Sequence, residues 1–590
     1  AGNPFSNFTL PTGVAINTNP ASPYFGTVYV AHANTTATVA GRAMGDGIYS
    51  LTADMMGVDL ANNFTKVTVP DRGGTLVEGI AGNPQFLNPL LSQYSQVDGV
   101  LTSLLFNGLT RLDERGEVVP DLAESMTVGT DGLTYDFRLR AGLYWHDGMP
   151  VTAADVLYTV VAMQTQGFPG VAWLSELWRQ VEVTAPDGPT GLTVRFTLDE
   201  PFAPFIDYTT IGLLPSHLWE PVPIADMMSS QYNSRPVGTG PLRLVDVTAT
   251  QAEFAVNESY HGATPYLAGL TVRFYPDHQS LLPAYERGEI DAISWVRPED
   301  VPDAIALPDL QLFSAPIAGY TLIYLNQQNP NLPFFQDVAV RQALMYGLDR
   351  QALVDDVLHG QGLVAHSPVM PNSWAYNEEV TRYIYDPALG RQLLEQAGWI
   401  DNDGDGVRDR EGVRMAFVLL GEDQAQLDAI AAMWSALGVL AEPQAVSLPG
   451  LTADFLTPRT FDAALVDWEL SGDPDPYPLW HSTQARTGQN YAGWDYRAAD
   501  ELIESARSLP DREARRIYYA EFQQIFAQQL PALLLHYPVY TFGVRDKVHD
   551  VQLGPLNTPG DRYRSIASWY IVTKQVTVGS APPRLDTSEK

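Results

Sequence analysis

The sequence predicts a multidomain α/β fold behind a β-rich N-terminal extension, and three observations lead there. The chain has 590 residues, several times the usual span of one domain. From Gly73 to about Tyr570, strand-like and helix-like patterns mix without a repeat period. Residues 1–70 differ: they hold only two basic residues, Arg42 and Lys66, and are rich in Gly, Asn, Thr and Ala. A hydrophobic share of 45% with 11% aromatic residues supplies a large core and excludes global disorder.

Each element follows from a local pattern. In the extension, Gly26-Thr27-Val28-Tyr29-Val30 and Lys66-Val67-Thr68-Val69 are short apolar runs between Asn, Pro and Gly clusters, which reads as strands and turns. The boundary falls near Pro70-Asp71-Arg72-Gly73-Gly74. Thr75 to Gly79 and Tyr320 to Leu325 read as buried strands. A helix is expected over Asp337–Leu358, with Val338, Val340, Leu344, Leu348 and Leu353 on its apolar face. Asp386-Pro387 opens another, because Asp suits an N-cap and Pro the first turn, and Gly398 marks its end. Two more helices cover about Tyr496–Ser508 and Arg512–Gln528. Val576–Lys590 is a polar tail expected to be disordered.

Charge and cysteine content exclude whole classes of function. Against 35 Lys plus Arg stand 69 Asp plus Glu, a formal charge of −34. Nucleic acid and anionic lipid need clustered cations, so neither is an expected partner. No run of 18 apolar residues occurs, so no spanning helix is expected. With no cysteine there are no disulfides, thiolate metal sites or thiol nucleophiles. No basic region followed by an apolar one opens the chain, so a secretory leader, if made, is expected to have ended before Ala1.

From Val119 the sequence becomes specific. Val119-Pro120-Asp121-Leu122-Ala123-Glu124-Ser125 precedes Asp131-Gly132-Leu133-Thr134-Tyr135, Trp145-His146-Asp147-Gly148 and Val151-Thr152-Ala153-Ala154-Asp155. Later come Gly238-Thr239-Gly240-Pro241, Val340-Arg341-Gln342-Ala343-Leu344, Gly472-Asp473-Pro474-Asp475-Pro476 and Gly488-Gln489-Asn490-Tyr491. In this order, over about residues 71–575, the set resembles the extracellular solute-binding proteins of family 5, the peptide, dipeptide and nickel class that serves ABC importers. The extension, residues 1–70, lies outside the resemblance.

The resemblance implies a two-lobed periplasmic-binding-protein-like fold (type II, cluster C) with an extra inserted domain. Residues 71–112, 232–315 and 536–575 would form the first lobe, 113–231 the inserted domain and 316–535 the second lobe. It also implies capture of a peptide or similar small solute by hinge closure, outside the cytoplasm, with a membrane permease as partner. A monomer is expected unless residues 1–70 mediate assembly.

Cleft candidates come from the segments that the family places between its lobes: Tyr94, Tyr320, Asn326, Trp374, Trp468, Glu469, Asp473, Asp475 and Trp494. Aromatic walls with a few carboxylates suit a cationic or amphipathic solute, and an oligosaccharide equally. In peptide-binding relatives, an Asp shortly before the acidic-Pro element holds the peptide's α-ammonium. Here Leu470 or Gly472 takes that place, with Glu469 beside it. An ammonium left unpaired in a dry cleft would cost about 2–5 kcal/mol. Trp145 reads as core, and Gly238-Thr239-Gly240-Pro241 as a close backbone approach rather than a phosphate loop, which needs more residues and a Lys.

Asp401, Asp403, Asp405 and Asp409, with Gly406, match the front of a calcium loop, while Gly412 stands where the bidentate Glu belongs. That makes a structural calcium ion a candidate; no other cofactor is expected. Neither a Gly-x-Ser-x-Gly elbow nor a His-Glu-x-x-His pair occurs, and Asp473 and Asp475 are too close in sequence to ensure a glycosidase spacing, so no enzyme is expected. The alternative is a cell-surface or assembly protein that uses the binding-protein body as scaffold and residues 1–70 as its contact segment.

Overall fold

The computed structural model describes residues 11–16, 28–32, 37–39, 42–44, 47–51, 65–113, 116–470 and 472–578. They belong to two compact units, Ala1–Gly73 with Tyr570–Lys590, and Gly74–Trp569.

In the first unit the described backbone is mostly strand. Pro11–Ile16, Val28–His32 and Gly47–Leu51 pair antiparallel in that order, and Ala37–Val39 pairs with Arg42–Met44. Thr65–Asp71 pairs antiparallel with Val572–Val578. Lys574 stands opposite Val69, one diagonal step from Asp71, and its Nζ lies 3.0 Å from Asp71 Oδ1. This corrects the tail expectation: Val576, Thr577 and Val578 are strand residues, because a partner strand supplies the hydrogen bonds that composition cannot foretell. Residues 579–590 lie outside the described residues.

The second unit holds a four-stranded antiparallel sheet ordered Ala123–Val128, Thr134–Leu139, Thr193–Leu198, Val181–Thr184. Alternation in these strands turns Tyr135, Phe137, Val194 and Phe196 inward, where Phe205 meets Tyr135 and Phe196 edge-on and Trp178 packs at a tilt on Phe196. Helix Ala153–Gln164 covers this module. Asp155 closes its capping box with Thr152 and also accepts from Trp145 Nε1 at 3.3 Å, so Trp145 is core. His146 is structural too. Its Nδ1 accepts from Gly238 N, leaving Nε2–H to donate to the Gly240 carbonyl, and burial pulls its pKa down to about 4. Methyl groups at Gly238 or Gly240 would overlap the carbonyls of Leu105 and Leu104. The glycines are there for that approach.

A twelve-stranded mixed sheet runs through both lobes. Its spine is Ala532–Arg545: the first half pairs with Gly319–Leu325 and Gly362–Val364, the second with Leu310–Pro316 and Ala292–Ile293. The spine thus changes pairing partners around Pro538, opposite the bend Pro316–Gly319. Ile317 N bonds Pro538 O at 3.1 Å, and Ala318 N bonds Leu556 O at 2.6 Å. Elsewhere in the unit Glu78 and Arg562 are both fully buried and paired, with Tyr563 Oη donating to Glu78 Oε2 at 2.8 Å.

The helix expected over Asp337–Leu358 is divided. Val338–Tyr346 ends at Gly347, which packs against Leu437; Asp349 then caps a new turn, Arg350–Ala352, followed by a wider turn, Leu353–Val357. The break aims Arg350, 4% exposed, at the carbonyls of Ala365, Leu534 and Tyr383. An apolar pattern cannot register a buried guanidinium that needs three carbonyls. The helices Pro387–Gln396, Arg497–Ser508 and Arg512–Gln529 follow expectation, the first and third capped by Asp386 and Asp511.

Candidate functional site

Strand Ala463–Glu469 leads into the loop that carries most of the candidate residues. On one side it pairs with Gly319–Leu325 over seven residues, Leu325↔Ala463 to Gly319↔Glu469. On the other, Ala416–Gly421 pairs with it only at Ala463 and Ala464. Among the described residues, no strand pairs with Leu465–Glu469 on that second side. The edge therefore keeps main-chain donors and acceptors for something else.

Side chains alternate about this strand. Val466 and Trp468 face a core with Tyr320, Leu322 and Tyr324. Trp468 is half-buried, donates from Nε1 to Tyr324 Oη at 2.9 Å and stacks on Tyr491 at 6.1 Å. Asp467 and Glu469 face the other way and are exposed. Asp467 accepts from Thr321 Oγ1 and is exposed to water. Crowding pushes its carboxyl above the usual range, and repulsion from Asp423 and Glu422 adds to this. His536 shares Gln426 with Asp423 and stays neutral, its pKa pulled to about 4 by burial.

Several candidates lie elsewhere. Tyr320, 1% exposed, takes a hydrogen bond from Trp480 Nε1, and Trp494, 4% exposed, packs among Phe522 and Phe526. Asn326 binds the carbonyls of Phe461 and Arg459 through Nδ2. Tyr320 is core because strand Gly319–Leu325 is buried on both faces, Trp494 is core against helix Arg512–Gln529, and Asn326 caps backbone carbonyls. Tyr94 is exposed, but its hydroxyl donates to Pro169 O at 2.6 Å. Trp374 is partly buried, with the guanidinium carbons of Arg512 and Arg515 at 5.3 and 5.1 Å from its ring.

Asp473 and Asp475 are not free for a solute. Arg515 grips Asp473 with Nη1 and Nη2 at 2.9 and 2.7 Å, and Arg507 Nε lies 2.9 Å from Asp475. Burial pushes Asp475 up to about 6 despite Arg507. This loop instead meets the flank of the four-stranded module: Gly472 faces Asp207, in the turn Ala203–Thr210 that packs on the sheet through Phe205, and Leu112, in the neighbouring hairpin, whose Glu117 pairs with Arg512. Sequence reading passed over Asp467 and Asp207. Asp467 had one signal, a carboxylate closing the apolar run Ala463 to Val466; Asp207, inside Pro204-Phe205-Ile206-Asp207-Tyr208, had the same.

Two further features stand apart. A recess of ≈ 960 Å³, lined by Asn107, Arg111, Arg140, His261 and Arg564 among others, touches none of the candidate residues. In the acidic loop, ligand atoms of Asp401, Asp403 and Asp405 lie within 4.8 Å of one another, whereas Asp409 takes hydrogen bonds from Asn402. No described helix is long and apolar enough to cross a membrane.

Comparison with known proteins places this architecture. The family model for bacterial extracellular solute-binding proteins, family 5, matches residues 117–490. The oligopeptide-binding protein AppA of Bacillus subtilis is 31% identical over 482 residues, covering 80% of this chain and 87% of AppA. The structure of AppA with a nonapeptide superposes with a TM-score of 0.68 at 28% identity, covering 85% of this chain and 100% of that one. NikZ of Campylobacter jejuni, solved with Ni(L-His), gives a TM-score of 0.70 at 25% identity, over 84% of this chain and 99% of its own. These relatives are binding proteins rather than enzymes. The chain belongs to family 5 of the bacterial extracellular solute-binding proteins, the two-lobed substrate-binding components of ABC importers.

Proposed function

We propose that the protein is an extracytoplasmic receptor that delivers peptides to an ABC permease, and that the peptide lies along the unpaired edge of Leu465–Glu469. That edge carries the reading: an extended peptide can add a strand there, with main-chain hydrogen bonds giving affinity for any sequence. Asp467 and Glu469, two residues apart on one face, offer carboxylates to the peptide's ammonium group, so the role expected of the Leu470 position passes to its neighbours. The names of AppA and of its nonapeptide complex support a peptide over an oligosaccharide, which lacks both an ammonium and a main chain to pair.

In this reading, residues 71–112, 232–315 and 536 to about 569 form the first lobe, 113–231 the inserted domain and 316–535 the second lobe, with the hinge at Pro316–Gly319 and Pro538. The protein acts as a monomer without chemistry of its own. Asp401, Asp403 and Asp405 hold a structural calcium ion, with Asp409 orienting the loop through Asn402. Native mass spectrometry with a pooled nonapeptide library, its N-acetylated counterpart and malto-oligosaccharides tests the proposal. Free peptides should be retained, acetylated ones lost, and Asp467→Asn should weaken retention; retention of the sugars alone would overturn the reading.

A further inference from the structure

The loop after the free strand edge ends against the four-stranded module, and the charges there do not balance. From the module come Glu117 and Asp207, from the loop Asp473 and Asp475: four carboxylates. The cations facing this contact are Arg507 on helix Arg497–Ser508, and Arg512 and Arg515 on helix Arg512–Gln529. Each is already committed. Arg507 pairs with Asp475 and lies over the rings of Tyr477 and Phe202 at 4.0 and 5.0 Å. Arg512 pairs with Glu117, and Arg515 with Asp473 and the Tyr519 hydroxyl. Tyr135 and Tyr208 stay protonated, their pKa values raised chiefly by burial, while Asp131 beside Tyr135 and Asp113 beside Arg512 add further negative charge. Asp207 is the carboxylate left over.

Its place is tight. Gly472 leaves just enough room, because a Cβ there would stand 2.8 Å from Asp207 Oδ1 and 3.4 Å from Leu112 Cδ1. Ionised, Asp207 is repelled by Asp473 and attracted only by Arg515, which Asp473 already holds, whereas a protonated carboxyl is a neutral group with a donor.

We infer that Asp207 is a proton-dependent latch between the four-stranded module and the second lobe, holding them together when protonated and forcing them apart when ionised. Burial first, then repulsion from Asp473, pushes Asp207 up to about 8 in this closed contact. With the lobes apart and Asp207 in water, the ordinary carboxylate value of about 4 applies. The closed state therefore binds one more proton between those values. Its share is highest below about pH 4, falls about tenfold per unit as pH rises toward 8, and then levels off. A receptor built this way grips in acid and loosens toward alkaline pH. The latch rests on hinge closure of the lobes but not on the identity of the solute.

The chain has no cysteine, so two introduced thiols can be spin-labelled without background. Labels at Thr190→Cys on the module and Asp428→Cys on the second lobe, both exposed sites, report the interlobe distance in the ligand-free protein. Double electron–electron resonance should show the closed-to-open ratio dropping at least tenfold from pH 5 to pH 8. Adding Asp207→Asn, which is neutral at every pH, should leave the ratio unchanged across that range. Small-angle scattering of the unlabelled chain should give a radius of gyration that grows with pH, and one that does not in Asp207→Asn. A parent ratio that ignores pH, or an Asp207→Asn variant that titrates like its parent, would overturn the latch. Neither measurement uses a peptide, so failure here leaves the peptide reading standing, and the reverse.

Discussion

Replacing Arg562 by Met tests how the first lobe supports the hinge. Glu78 on strand Thr75–Ala81 and Arg562 in the turn Pro559–Ser565 are both 0% exposed. Arg562 gives Nε to Glu78 Oε1 at 3.1 Å, Nη1 to Pro559 O at 2.7 Å and Nη2 to Tyr563 Oη at 2.9 Å. Met keeps most of the volume and removes every donor, leaving Glu78 with the Tyr563 hydroxyl alone. Removing one partner of a buried pair costs about 3–5 kcal/mol, whereas replacing both with apolar groups of similar volume is close to neutral. Arg562→Met should therefore lose about 3–5 kcal/mol, and Glu78→Leu with Arg562→Met should recover most of it. Urea unfolding followed by tryptophan fluorescence suits the question, since Trp569 is buried 6.0 Å from Tyr563 and stacks on Phe542. Solute release should quicken as well, because the same segment supplies Leu556, which bonds Ala318 and Pro316 at the hinge. A loss under about 1 kcal/mol for the single variant, or additive losses in the double, would refute the reasoning.

Other outcomes follow from the same structure. Gly238→Ala should cost about 2–4 kcal/mol in chemical denaturation, because its methyl meets the Leu105 backbone rather than a movable side chain; a neutral result would mean the approach relaxes. His536, held near 4 by burial, takes up a proton more readily when unfolded, so it withdraws stability as pH falls from about 6.5 toward 4. His536→Gln should remove about one proton from the pH dependence of unfolding there, and an unchanged slope would contradict the burial argument. Calcium at 1 mM should add about 0.4–1.4 kcal/mol, read as a higher Tm, for a site with Kd of about 0.1–1 mM. Asp403→Asn should abolish the gain, and no gain in the parent would remove the ion from the account.

What the sequence made legible, and what it hid, divides along physical lines. Trp145, Asp386 with Pro387, and Gly238 with Gly240 could be read because caps and close approaches need particular residue types within a few positions. The candidate site was read less well. Asp473 and Asp475 looked like solute ligands because their partners, Arg515 and Arg507, lie on helices that the sequence separates from them by dozens of residues. Tyr320 and Trp494 looked like walls, yet an aromatic ring packs a core as readily as it stacks on a solute. The free edge of Leu465–Glu469 had no sequence signal of its own, because it depends on where the neighbouring strand Ala416–Gly421 stops pairing.

That edge gives the most direct test. Amide hydrogen exchange, read by mass spectrometry with and without a saturating nonapeptide, monitors the N–H groups of Leu465–Glu469 that do not bond strand Gly319–Leu325. The account predicts that these amides gain protection with the peptide and stay unchanged with maltohexaose. Tight peptide binding with no added protection over Leu465–Glu469 would contradict it.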